Sequence, residues 1–288
     1  MAARPRTLPA AVAPVLVGTA AADQWLGHVP RWGAFFAALV GSIFIQIGTN
    51  LANDYSDAKR GADTADRLGP VRVTSAGLVT PQRVMRATWI AFAVAVVCGV
   101  YLATVAGVVI LVVGVFSIAA GVLYTGGPRP YGYAGLGEVF VFLFFGLVAV
   151  NGSYYVQLEQ LDALPLGLSI SIGFLATAII VVNNVRDIET DRRAGKMTSA
   201  VRMGRDNAVN LYRLLVLGAF VVLPIALAAG EASALPLIGL LALPLAIKPM
   251  RAMSSRTDGP ALNGALAGTG ALLGVFSLLV TAGLLISS

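Results

Sequence analysis

Among 288 residues there is one cysteine, Cys98, and one histidine, His28. That excludes a disulfide framework, a cysteine-ligated zinc or iron–sulfur site, and any chemistry that needs paired histidines. Charge is also scarce: Asp, Glu, Lys and Arg make up 12% of the chain, against about 25% in soluble domains. The apolar set AVILMFWYC supplies 57%, and the mean hydropathy is +0.82. A water-facing surface cannot be built from so few polar atoms. A bilayer-spanning helix takes about 20 residues, so nine of them fit within this length with loops to spare. The expected class is all-α, a polytopic membrane protein.

Apolar runs mark nine expected spans, at 9–27, 33–54, 84–104, 106–125, 135–157, 163–185, 207–229, 232–248 and 262–286. The net charge of +6 does not point to nucleic acid once the bases are placed between those spans. With the N-terminus cytoplasmic, nineteen of the twenty lysines and arginines face inward and only Arg31 faces outward. This is the bias that orients membrane proteins during insertion. Seventeen arginines against three lysines suit a high-GC bacterial chain, and so the bacterial cytoplasmic membrane. The first run, interrupted by Pro9 and Pro14 and containing Asp23, lacks the cleavage pattern of a signal peptide and is expected to remain as a span. Gly264 and Gly268, then Gly270 and Gly274, have the four-residue spacing that lets helix backbones approach closely in lipid.

Half of the fourteen carboxylates fall in two short windows on the expected cytoplasmic side, after spans two and six. The first runs NLANDYSDAKRGADTAD over residues 50–66, and the second NNVRDIETDRRAGK over 183–196. If the helices continue past the hydrocarbon edge, Asn50, Asp54 and Asp57 share one face. Asn184, Asp187 and Asp191 do the same. Facing carboxylates repel in a medium of low dielectric unless cations lie between them. Oxygen-only ligands without His or Cys select Mg²⁺ or Mn²⁺, and Mg²⁺ commonly completes its shell with substrate phosphates. Two half-sites four spans apart therefore imply a shared diphosphate. The same spacing suggests a pseudo-repeat, 9–125 and 135–248, with a final helix 262–286 added within one domain spanning 1–288.

The windows NDYSD…D and NNVRDIETD resemble the two aspartate-rich motifs of the UbiA superfamily of intramembrane prenyltransferases. Residues 4–18, 69–79, 124–138, 151–157 and 195–204 are similar to the MenA-type branch, which prenylates 1,4-dihydroxy-2-naphthoate in menaquinone synthesis. The resemblance covers nearly the whole chain. It implies a nine-helix bundle with its active site near the cytoplasmic face. The implied substrates are a polyprenyl diphosphate and 1,4-dihydroxy-2-naphthoate, and the products demethylmenaquinol, CO2 and diphosphate. It also implies Mg²⁺ bridging Asp54, Asp57, Asp187 and Asp191 to the diphosphate. Where the superfamily often has a third acid in its first motif this chain has Gly61, and Asp63 is the nearest substitute ligand.

Within that frame Lys196 and Arg72 are candidate phosphate donors, with Arg129 beside them. Asn50, Asn53 and Asn184 are candidate substrate contacts. Tyr124, Tyr131 and Tyr133 form a candidate electron-rich wall for an allylic cation. Arg4, Arg6 and Arg129 are candidates for the acceptor's carboxylate. Glu138 opens span five close to the site, while His28 and Cys98 read as structural. Three other readings compete: a family member with another aromatic acceptor, a cation-coupled transporter, and a CDP-alcohol phosphotransferase. Transporters place their ionisable groups near the midplane, whereas these acids sit at helix ends. The phosphotransferase pattern of one continuous run with Asp-Gly and Ala-Arg elements is absent from the sequence.

Overall fold

The computed structural model describes residues 4–27, 29, 31–61, 68–69 and 72–288. Among them the chain is helical throughout, with no strand. The long helices are α1 (Pro9–Leu26), α2 (Trp32–Lys59), α3 (Pro81–Ala106), α4 (Val109–Leu123), α5 (Gly137–Leu158) and α6 (Ala163–Arg186). Two short helices follow, α7 (Ile188–Arg193) and α8 (Ser199–Met203). The chain ends with α9 (Arg205–Ala229), α10 (Leu235–Ser255) and α11 (Gly259–Ile286). Seven of these are long and apolar enough to cross a membrane: α2, α3, α5, α6, α9, α10 and α11. The other two expected spans correspond to α1, of 18 residues, and α4, of 15.

Three elements depart from the sequence reading, each for a local reason. The span expected at 232–248 is a 3-10 stretch, Leu235–Ala246, that becomes α-helical only from Ile247. Pro244, inside that stretch, lacks the N–H that an α-helix needs there. Span five contains a π-helical stretch at Phe142–Val148, where the extra residue per turn brings Gly146 against α6. A Cβ on Gly146 would lie 2.6 Å from the Gly173 Cα. The glycine spacing in α11 is a packing seam only in part. Gly264 meets nothing within 4 Å. A Cβ on Gly268 or Gly274 would touch Pro249 (3.6 Å) or Pro9 (3.9 Å) at ordinary distances, and one on Gly270 would closely approach the Arg6 carbonyl (2.7 Å).

The main core is formed by α1, the second half of α5, α6, α9, α10 and α11. α1 packs against α2, α5, α6 and α11. Twelve of its residues are buried, mostly Ala, Val and Gly. Small side chains let it lie close to α5, where a Cβ on Gly18 would fall 2.2 Å from the Val150 carbonyl oxygen. A second, smaller cluster of Ala34, Leu102, Ala106, Ile110 and Val156 joins α2, α3, α4 and α5. Between the two clusters the bundle is hollow.

Candidate active site

The first acidic window is helical to its end. α2 continues through Lys59, and Asn50, Asn53, Asp54 and Asp57 are all buried on it. The two carboxylates nevertheless do different things. Asp57 faces a polar cavity of about 60 Å³. There it pairs with Arg72 (3.2 Å) and with Lys196 Nζ (3.1 Å), and it accepts a hydrogen bond from the Tyr133 hydroxyl (2.7 Å). Asp54 lines neither of the cavities described here. It accepts from the backbone N–H groups of Val73 (3.3 Å) and Thr74 (3.1 Å), fixing the segment that brings Arg72 to Asp57. Asp63 lies outside the described residues, as does His28.

The second window is not one continuous helix, contrary to the conditional expectation. α6 stops at Arg186, Asp187 is its cap with φ −98° and ψ 9°, and α7 restarts at Ile188. The break turns Asp187 and Asp191 toward the same polar cavity as Asp57, together with Asn183 and Asn184. Asn184 donates to the buried Glu138 (2.8 Å), which also accepts from Ser199 Oγ. The turn after α7 closes with Lys196 N–H on the Asp191 carbonyl and Met197 N–H on that of Tyr133. This backbone pairing places Lys196 Nζ 4.7 Å from the Tyr133 ring centre. Asn53 joins the other side of the cavity, accepting from the Thr125 hydroxyl (2.8 Å).

The remaining candidates separate clearly. Arg4, Arg72, Lys196 and Tyr124 line the polar cavity. Arg6 and Arg129 are exposed and line neither cavity, and Asn50 is buried outside both walls. Tyr131 lines the second cavity, an apolar space of about 200 Å³ lined by residues of α1 to α5. Its ring stacks on Phe140 (3.9 Å between centroids) and meets Tyr124 edge-on (5.5 Å), while its hydroxyl is tied to the Ala120 carbonyl (2.8 Å). Tyr124 lines the polar cavity and Tyr131 the apolar one, so this ring pair stands between the two. Sequence reasoning missed Arg186, counting it only as an inward-facing base. Its guanidinium is buried, bonded to Asp187, Asn183 and Asn263.

The donor set fits magnesium. Every potential ligand is an oxygen, and Asp57, Asp187 and Asp191 face one polar space from two sides. Among the described residues no three acidic side chains converge on a single point. A cation here would therefore complete its shell with oxygens from something else, the habit of Mg²⁺ with phosphates. The lining acids Asp57, Asp187 and Asp191 are balanced by Arg4, Arg72 and Lys196. A multiply charged anion entering such a balanced site is favoured by bringing its own divalent cation.

Comparison with known proteins gives the family. The model of the UbiA prenyltransferase family matches residues 11–263. A Mycobacterium leprae protein named 1,4-dihydroxy-2-naphthoate octaprenyltransferase is 42% identical, over 98% of this chain and 94% of its own. The Escherichia coli protein of that name is 40% identical, over 94% and 90%. Among solved structures, a UbiA homolog from Archaeoglobus fulgidus bound to GPP and Mg2+ superposes with a TM-score of 0.67 at 16% identity, covering 98% of this chain and 97% of that one. The chain belongs to the UbiA prenyltransferase family.

Proposed function

We propose that this protein transfers a polyprenyl group from polyprenyl diphosphate to 1,4-dihydroxy-2-naphthoate, releasing diphosphate and CO2 and giving demethylmenaquinol for menaquinone synthesis. The observation that carries the reading is the pair of neighbouring cavities, separated by the Tyr124–Tyr131 contact. One is polar and lined by both acidic windows; the other is apolar and extends among α1 to α5. A molecule with an anionic head and a long hydrocarbon tail matches that pair. The acceptor follows from the relatives' names, since they cover nearly the whole chain.

In this reading Asp57, Asp187 and Asp191 hold Mg²⁺ with the diphosphate, and Asp54 supports them through the 72–74 segment. Bound Mg²⁺ supplies Lewis-acid stabilisation of the charge that develops on the departing diphosphate. Arg72 and Lys196 exchange their contacts with Asp57 for phosphate oxygens, adding charge-assisted donors on the same leaving group. The Tyr124 and Tyr131 rings stand between the head and tail cavities, so an electron-rich wall flanks the allylic carbon. Arg4, the only one of the three acceptor-arginine candidates in the polar wall, orients the naphthoate carboxylate. The hydroxyls make the naphthalene electron-rich enough to capture the allylic cation. Loss of CO2 then restores aromaticity at the substituted carbon, so no histidine base is needed.

The same reading takes the protein as one domain in the bacterial cytoplasmic membrane. All nine long helices cross, the N-terminus and the active site face the cytoplasm, and 9–125 and 135–248 form a pseudo-repeat. The distribution of bases between spans supports the orientation. The direct test supplies purified protein with a polyprenyl diphosphate, Mg²⁺ and several labelled aromatic acids in parallel. The naphthoate is expected to react fastest. Faster product formation from 4-hydroxybenzoate or homogentisate would assign the chain to another branch of the family.

A further inference from the structure

Arg186 ends α6, and its side chain is only 1% exposed. Its Nε donates to Asp187 Oδ1 (2.8 Å) and its Nη2 to Asp187 Oδ2 (2.6 Å), a bidentate fork on its immediate neighbour. Adjacent residues on an unbroken helix do not face one another. The break at Asp187 is what permits the fork. Nη2 also donates to Asn183 Oδ1 one turn back (2.8 Å), and Nη1 to Asn263 Oδ1 on α11 (2.8 Å). Asn263 in turn donates to the Leu68 carbonyl (2.9 Å), in the segment that follows the first acidic window. Asp187 and Asn183 line the polar cavity, whereas Arg186 lies behind them.

We propose that Arg186 is a positioning residue that fixes the Asp187 carboxylate on its inner edge, so that only the outward lone pairs meet the polar cavity. Through Asn263 it ties that orientation to the last helix and to the segment after the first window, so both half-sites share one anchor. The role follows from the planar fork of a guanidinium, which holds a carboxylate at two points where an ammonium holds it at one. A buried ammonium at this position would keep the charge and lose the geometry. The inference rests on the polar cavity being the metal–diphosphate site.

The test titrates purified protein with Mn²⁺ in the presence of inorganic diphosphate, following the free Mn²⁺ signal by electron paramagnetic resonance. Steady-state constants and the thermal midpoint are measured on the same samples. Arg186→Lys is expected to weaken Mn²⁺ binding by at least about tenfold, the range seen when partners of metal ligands are removed. It should lower kcat similarly and leave the acceptor KM within about twofold. Asn263→Leu, which removes one guanidinium partner and keeps the fork, is expected to move both quantities in the same direction by less. If Arg186→Lys does not fold, Asn263→Leu alone decides. Mn²⁺ affinity within about twofold of the parent in the variants that fold overturns the proposal, and so does a lowered thermal midpoint with unchanged affinity. Asp187→Asn separates the two levels. If it loses Mn²⁺ binding while the Arg186 and Asn263 variants keep it, only the positioning role fails. If it too binds normally, the site reading falls with it.

Discussion

Asp54 and Asp57 lie less than one turn apart on α2, both almost fully buried, yet only Asp57 reaches the polar cavity. Helical spacing in the sequence brings both to the C-terminal end of one helix. It does not show that two backbone N–H groups from residues 73 and 74 occupy Asp54. Arg186 was illegible for a similar reason: a base at a helix end reads as an orientation signal, and nothing in its neighbours' polarity announces burial. Arg72 and Lys196, in contrast, were singled out in the sequence, and they line the cavity. Two expectations belong to this scale. Asp57→Ala and Asp187→Ala should each lower kcat at least about a hundredfold, roughly 2.7 kcal/mol of barrier, at saturating Mg²⁺. Their combination should be less than additive, as for groups that act as one unit. Diphosphate release measures both, and a variant retaining more than about a tenth of kcat would break the two-half-site account. For the acceptor, Arg4→Met should raise the naphthoate KM about tenfold or more. Arg6→Met and Arg129→Met, at exposed positions, should leave it unchanged, and equal effects at all three would remove Arg4 from the carboxylate site.

At the scale of elements, apolar runs located the long helices well because a lipid-facing helix has to be apolar over its length. What the runs could not show is where the helix changes character. The 3-10 stretch in α10 and the π-helical stretch in α5 depend on a proline and on which backbones touch. Gly146 illustrates the second cause. Its missing side chain is filled by backbone atoms of Gly173 and Ser169, which cannot swing aside as a side-chain tip can. Gly146→Ala is therefore expected to destabilise the protein by about 1–3 kcal/mol, the usual cost of overpacking. Gly264→Ala, facing open space, should be neutral or slightly stabilising through helix propensity. Thermal unfolding in one detergent compares the two. An unchanged midpoint for Gly146→Ala would mean that α5 and α6 are not packed as described.

At the scale of the molecule, the hollow between the two clusters is the feature on which the proposed function rests, and it is a product of packing that composition cannot reveal. The sequence did carry the orientation argument, nineteen bases against one. On a Cys98→Ser background, cysteines at Arg129 and Arg251 should resist a membrane-impermeant maleimide in intact cells, while Gln160→Cys should label. The reverse pattern would put the acidic windows on the wrong side of the membrane.

The central claim is that a prenyl group replaces the carboxyl group of a naphthoate at the boundary between the polar and the apolar cavity. The most direct measurement uses 1,4-dihydroxy-2-naphthoate carrying its label in the carboxyl carbon, with a polyprenyl diphosphate and Mg²⁺, and follows labelled CO2 and diphosphate together. The account predicts that the two appear in equal amounts and that both stop when Mg²⁺ is chelated. Diphosphate released while the label stays in a prenylated product, or label lost without prenylation, would contradict it.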